Sequence, residues 1–227
     1  MTRAPEPLPQ SVEELPHGGS LQPHDGRWLP GDDHDTVHFT DARVTDPDAS
    51  GSTFLDCAFT GVSIDGGRLR RARLLDVWAR ELRLVGTDLA ESGWRDGVLL
   101  GSILAGVRLP GARLTRVVFR GCKLDAVNFR SCGLTDVRFE DCLLREVDFG
   151  GATLTRTSFP GSRLTGTIMA GAKLDEVDLR GAELGLTVDP PSMRGAVISP
   201  AQLLDLAPLL AESLGIDVRP EDDVPGR

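Results

Sequence analysis

The sequence predicts an all-β solenoid closed at its carboxyl end by one α-helix. Three observations predict it. An apolar residue stands at every fifth position from Phe39 to Leu184, charge is excluded from two of the five phases, and phenylalanine recurs every tenth residue in the middle of the chain. Internal repetition of this kind decides a fold before any local propensity does, because each repeat buries its apolar face only against its neighbours.

Stepping by five from Phe39 meets Val44, Ala49, Phe54, Phe59 and Ile64, and after 30 positions reaches Leu184 without a slip of phase. The central part of this series is Phe119, Leu124, Phe129, Leu134, Phe139, Leu144, Phe149, Leu154 and Phe159. Two residues before each member lies a second, mostly small series that includes Cys122, Val127, Cys132, Val137 and Cys142, with Pro47 and Leu82 as misfits. Between Phe39 and Leu184 there are 20 basic and 20 acidic residues, and none falls on either series. If charge ignored phase, that avoidance would have a chance of roughly one in a billion. A helix places apolar residues near a period of 3.6 and a simple strand near 2. A period of five therefore describes a short side with two inward side chains and then a corner.

Alternation of Phe with Leu sets a period of ten, so like stacks on like only if a turn has an even number of sides. Four corners give twenty residues per turn, and thirty repeats give about seven coils and a half, roughly 35 Å long at the ~4.8 Å spacing of stacked strands. Glycines at the corner phase, such as Gly61, Gly111 and Gly171, suit turns that need positive φ.

Runs such as Gly111-Ala-Arg-Leu-Thr, Gly171-Ala-Lys-Leu-Asp and Gly181-Ala-Glu-Leu-Gly resemble the repeat of the pentapeptide-repeat family, A-(D/N)-L-x-x, over about two-thirds of the chain. The resemblance implies a right-handed quadrilateral β-helix. Departures at Asp46-Pro47-Asp48-Ala49 and around Trp78 and Trp94 lead us to expect distortion in the first two or three turns. The domain plan expected is a Pro- and acid-rich segment over 1–36, mobile over about its first 20 residues, the rod over 37–198, a capping helix over 199–215 and a disordered tail over 216–227.

A solenoid exposes an apolar cross-section at each end. At the carboxyl end, Ser199-Pro200-Ala-Gln202 has the form of a capping box with proline in the first turn. The helix is expected over 200–214, kinked near Pro208, with Leu203, Leu206, Ala207, Leu210 and Leu214 facing the rod and Leu204 and Leu209 on its flanks. At the amino end, residues 21–35, including Trp28, are expected to fold over the first coil. All four histidines, His17, His24, His34 and His38, lie there. Asp32, Asp33, His34, Asp35 and His38 offer metal-ligating side chains, but no spacing fixes a geometry. A polar surface loop is the reading adopted, with no metal and no cofactor.

Cys122, Cys132 and Cys142 fall on the inward small series and are read as buried free thiols in the core. The rod holds no histidine beyond His38, and its acids alternate with arginines, so no nucleophile–base pair emerges and no catalytic residue is assigned. Two surface features remain. Trp78, Val98 and Val118, with Leu100 beside them, form an outward apolar column of the kind that marks contact sites, with packing of the amino-terminal segment over it as the alternative. Arg68, Arg70, Arg71 and Arg73 form a basic corner suited to an acidic partner.

The chain carries −9 overall, which invites comparison with the family members that protect DNA gyrase by mimicking DNA. Those rods have strongly acidic faces and a carboxyl helix that pairs two copies. Here the rod is neutral, and the acidity sits at the ends: two basic against seven acidic residues over 1–38, and three against seven over 185–227. No face carries a phosphate-like negative stripe. The expected function is therefore a non-catalytic interaction scaffold with an unidentified protein partner, as monomer or homodimer, with a type II topoisomerase as the alternative partner. No direct nucleic-acid binding is expected. With no apolar stretch long enough to span a bilayer and no apolar h-region after Met1, the expected location is the cytoplasm.

Overall fold

The computed structural model describes residues 7–24, 26–187 and 190–219. It shows a right-handed quadrilateral β-helix of about eight turns with one α-helix at its carboxyl end. Every strand pairs in parallel with the strand one turn away, twenty residues on in the repeat, as in Trp78↔Val98↔Val118 and Leu104↔Leu124. Three sides are sheets. Face I runs from Asp33–Asp35 to Lys173–Asp175, face II from Gln22–Pro23 to Arg138–Glu140, and face III from Arg43–Thr45 to Glu183–Thr187. Face IV is a ladder of single bridges, Asp48↔Arg68↔Asp88↔Arg108↔Asn128↔Asp148.

The five-residue register is the reason for this shape. Both inward series are buried along the rod, and Phe119, Phe129, Phe139, Phe149 and Phe159 are each at most 1% exposed. Like residues stack on like: Phe119 on Phe139 at 4.9 Å, Phe139 on Phe159 at 5.0 Å and Phe129 on Phe149 at 5.1 Å, all within 6° of parallel. Leu124, Leu134, Leu144 and Leu154 fill the alternate sides, fully buried. Toward the amino end Ala79 interrupts the column of Phe39, Phe59 and Leu99, and a void of about 30 Å³ opens beside it, lined also by Trp94 and Trp28.

The first turns are regular, contrary to expectation. Pro47 is buried in its inward place because the ladder uses its carbonyl, which accepts from Arg68 N at 2.7 Å, and takes its N–H groups from Asp46 and Ala49 instead. Corners also prove less dependent on glycine than expected. Among the described residues, seventeen non-glycine residues adopt positive φ, among them Asp46 at 48° and Arg116 at 53°, so the closed coil imposes a conformation that an L-residue adopts only at a cost.

The ladder begins before residue 37. Asp33–Asp35 pairs with Thr53–Leu55, and Gln22–Pro23 with Val37 and His38. His34 lies in the inward phase, buried and stacked on Phe54 at 4.9 Å, so it belongs to the rod and not to a polar loop. Trp28 and His24 cover Phe39 at 5.1 and 4.2 Å. Residues 7–21 form a strap packed across face II, with short 3-10 turns at Val12–Glu14 and Gly18–Ser20. The first six residues, and the tail from 220 on, lie outside the described residues.

At the other end, Ala196–Val197 adds a last short strand to Val177–Asp178. Helix α1, Pro200–Ser213, follows with the expected capping box: Ser199 Oγ accepts from Gln202 N at 3.2 Å, and Gln202 Oε1 accepts from Ser199 N at 2.9 Å. Its buried face differs from the one expected. Gln202 and Leu206 are buried, whereas Leu203 is 49% and Leu214 73% exposed. Gln202 Nε2 donates to the carbonyls of Leu179 and Ala182, both at 2.7 Å. Leu179 O also accepts from Ala182 N at 3.1 Å, so Ala182 O is the acceptor that depends on Gln202. It sets the roll of the helix, because a buried carbonyl left without a donor costs more than an exposed leucine.

Candidate interaction surface

Outward side chains stand in columns whose members are one rung apart, so an acid and a base twenty residues apart become neighbours. The structure uses this widely. Arg116 pairs with Asp96 (Nε–Oδ1 2.5 Å), Arg156 with Asp136 (2.6 Å), Arg163 with Glu183 (2.5 Å) and Arg145 with Asp125. These guanidinium contacts hold the carboxyls of Asp96, Asp125 and Asp136 below their usual range. On face II, Glu140 is 6% exposed between Arg120 (2.6 Å) and Arg138.

The predicted apolar column is largely covered. Trp78 is 3% and Leu100 6% exposed, because Leu8, Val12, Leu15 and Leu21 of the strap pack over them, with Ala58 below and Val98 alongside. The strap is also tied by hydrogen bonds: Trp78 Nε1 donates to Pro9 O at 3.0 Å and Arg80 to Gln10 O at 3.0 Å. His17 reaches Asp56 at 3.7 Å. Val118, one rung further, is half-buried. The signal for the strap was present as apolar residues at 8, 12 and 15, and the outward apolar column marked the face that such a segment would cover.

The basic corner divides in two. Arg68 pairs with Asp48 at 3.4 Å, and Arg70 with Asp88 at 3.4 Å and Glu91 at 3.8 Å. Arg71 and Arg73 are exposed, and among the described residues neither has a carboxylate within ion-pair distance.

The cysteines are interior. All four are buried and free. Burial pushes Cys57 up to about 11 and Cys132 up to about 12, and contact with the Cys122 thiol together with burial raises Cys142 further. Thiols so protonated and enclosed are poor nucleophiles. His38 is held by Thr60 Oγ1 at 2.9 Å. Among the described residues, no three His, Cys, Asp or Glu side chains gather around a common point where a metal would sit.

With this geometry in view, residues 100–169 match the family model for the pentapeptide repeat region. The rod is a pentapeptide-repeat solenoid. No curated protein matches it in sequence. Among solved structures, a trypsin-treated form of QnrB1, a plasmid-mediated fluoroquinolone resistance protein, superposes with a TM-score of 0.56 at 22% identity, covering 88% of this chain and 99% of that one. Full-length QnrB1 gives 0.54 at 20% identity, covering 86% and 100%. HetL, a pentapeptide repeat protein involved in heterocyst differentiation regulation from the cyanobacterium Nostoc sp. strain PCC 7120, gives 0.48 at 20%, covering 77% and 92%. At these identities the likeness to QnrB1 establishes the pentapeptide-repeat fold alone. Among the described residues, no helix is long and apolar enough to cross a membrane.

Proposed function

We propose that this pentapeptide-repeat rod is a non-catalytic interaction scaffold that presents its outer columns to a protein partner. One observation carries the reading: the inward positions are spent on packing, while the outward ones form regular rung-spaced arrays of arginines, acids and small residues with, among the described residues, no convergent nucleophile and base. A surface of that kind recognises by shape and charge register. The measurement is affinity capture from the native cells, with the wild-type rod compared against variants of each face. A partner lost with one face and kept with the others supports the reading, and a rod that captures nothing specific overturns it. Trp78→Asp is unsuitable as an interface variant, because it would release the strap.

A topoisomerase partner is the second reading, favoured by the superposition on QnrB1 across nearly its full length. The neutral rod weighs against DNA mimicry, since the acidity lies in the end segments. Purified protein should then protect gyrase supercoiling from a quinolone; no protection at large molar excess removes this reading. The open apolar side of α1, with Leu203, Leu204 and Leu214 exposed, supports a homodimer, which sedimentation at two concentrations would detect.

A further inference from the structure

Face I carries a charge pattern that the other faces lack. Its outward positions from Thr53 to Thr155 include three arginines, Arg73, Arg95 and Arg113, and no acid. In the sheet register Gly93 lies between Arg73 on one side and Arg113 on the other, and Arg95 follows two residues along the same strand. All three therefore project from the same side of the sheet around Gly93, about 5 Å away across rungs and about 7 Å along the strand. A Cβ placed on Gly93 would meet nothing within 4 Å, so the centre of the triangle is an open notch.

These arginines also escape the pairing that neutralises most of the rod. Among the described residues, none has a carboxylate within ion-pair distance, and the nearest corner acid, Asp96, is already engaged by Arg116 through two hydrogen bonds. Face III has unpaired cations too, Arg43, Arg83 and Lys123, but Asp65 and Asp125 stand in its neighbouring column. Beside the notch, Leu55 and Leu75 pair in register and are half-buried, in the same column as Arg95.

We propose that the notch over Gly93 docks an acidic, extended segment of a partner protein, with a carboxylate held among Arg73, Arg95 and Arg113 and an aliphatic side chain on Leu55 and Leu75. Guanidinium forks match carboxylates, and unpaired ones need not first surrender an internal partner. A nucleic-acid backbone fits less well. The positive island spans three rungs, Asp33 and Asp35 stand beyond one end of it, and Asp56, Asp76 and Asp96 line the adjoining corner. Polyanion binding needs a longer basic track.

This inference rests on the interaction reading, and its test separates the two. The probe is a fluorescein-labelled octapeptide of glutamates interrupted by one leucine, followed by anisotropy with the full chain at low and moderate salt. Saturable, salt-sensitive binding is expected. Arg73→Ala with Arg113→Ala should weaken it about tenfold or more. Gly93→Glu, which places a carboxylate of the protein's own in the notch, should do the same without disturbing the backbone. Arg145→Ala, which removes a paired arginine from face III, should leave binding unchanged. Circular dichroism melting confirms that each variant folds. No saturable binding, an equal loss with Arg145→Ala, or tighter binding of a single-stranded oligonucleotide of the same length overturns the proposal. A rod that captures a protein partner yet ignores the peptide keeps the scaffold reading and loses this one.

Discussion

At the amino end the open coil is covered by rings, with His24, Trp28 and His34 packed against Phe39 and Phe54, whereas at the carboxyl end the decisive group is one amide, Gln202, on two backbone carbonyls. Both ends face the same problem, an apolar cross-section rimmed by unpaired backbone groups. The first solves it by area, the second by hydrogen bonds, and the second leaves its leucines in solvent. Closing a solenoid thus requires that the rim polar groups be met as well as the apolar centre covered.

The largest expected effect is at the amino end. Trp28→Ala should cost about 2–4 kcal/mol in denaturant unfolding, near the range for removing a packed aromatic, with the half-buried ring placing it toward the lower side. Trp28 Nε1 has no acceptor among the described residues, so Trp28→Phe should cost well under half as much. If the two substitutions were equal, the ring's area would not be what closes this end.

Gln202→Leu is the matching test at the carboxyl end. It keeps helical propensity and adds apolar surface, yet it removes the donor to Ala182 O, one of two donors to Leu179 O and the Oε1 acceptor of the capping box. A loss of about 1–3 kcal/mol is expected, read as a lower midpoint in urea. A neutral or stabilised variant would show that both ends close by burial alone.

The rod was legible in the sequence because a repeat states each inward position thirty times over. Phe139 could be placed in the core, and Arg116 on the surface, by phase alone. The ends were not legible in the same way. The roll of α1 follows from carbonyls at the rim of the last coil, above all Ala182 O, that are placed only once that coil exists, so a helical wheel favoured Leu203 and Leu214 over Gln202. His34 looked polar beside three aspartates, yet its phase, five before Phe39, already placed it inside. The interaction surface was half legible: the basic corner was visible, but only the rung-by-rung pairing separates the neutralised Arg68 and Arg70 from the unpaired Arg71 and Arg73, and joins Arg73 to Arg95 and Arg113.

Acidification should sharpen the contrast between the ends. Burial holds His38 below its usual value of 6.5, offset partly by Glu13 and Asp41. The folded state thus keeps the neutral ring more readily than the unfolded chain does, and this contribution is present above 6.5 and is lost as pH falls through the depressed folded value. Hydrogen exchange should show protection at Val37–Thr40 falling as pH drops below about 6.5, while the ladder near Leu179 stays unchanged. All four histidines lie at the amino end. The carboxylates held down by arginine, Asp96, Asp125 and Asp136, respond only below the ordinary carboxylate range near pH 4. Loss of protection at the carboxyl end in the same window would show that the two ends unfold as one unit.

The smallest effect is expected between the ends. Arg145 and Asp125 form a two-bond pair on face III, yet both side chains are well exposed, 65% and 40%. An exposed pair contributes about 0–1 kcal/mol after side-chain entropy and salt screening, so Asp125→Asn should shift the urea midpoint little and less at high salt. The pairing matters in another way: it lets a neutral rod carry many arginines without a strong field, so an unpaired cluster stands out to a partner. If Asp125→Asn instead cost as much as Gln202→Leu, charge along the sides would hold the coils together, and the ends would lose their special place in the stability of the rod.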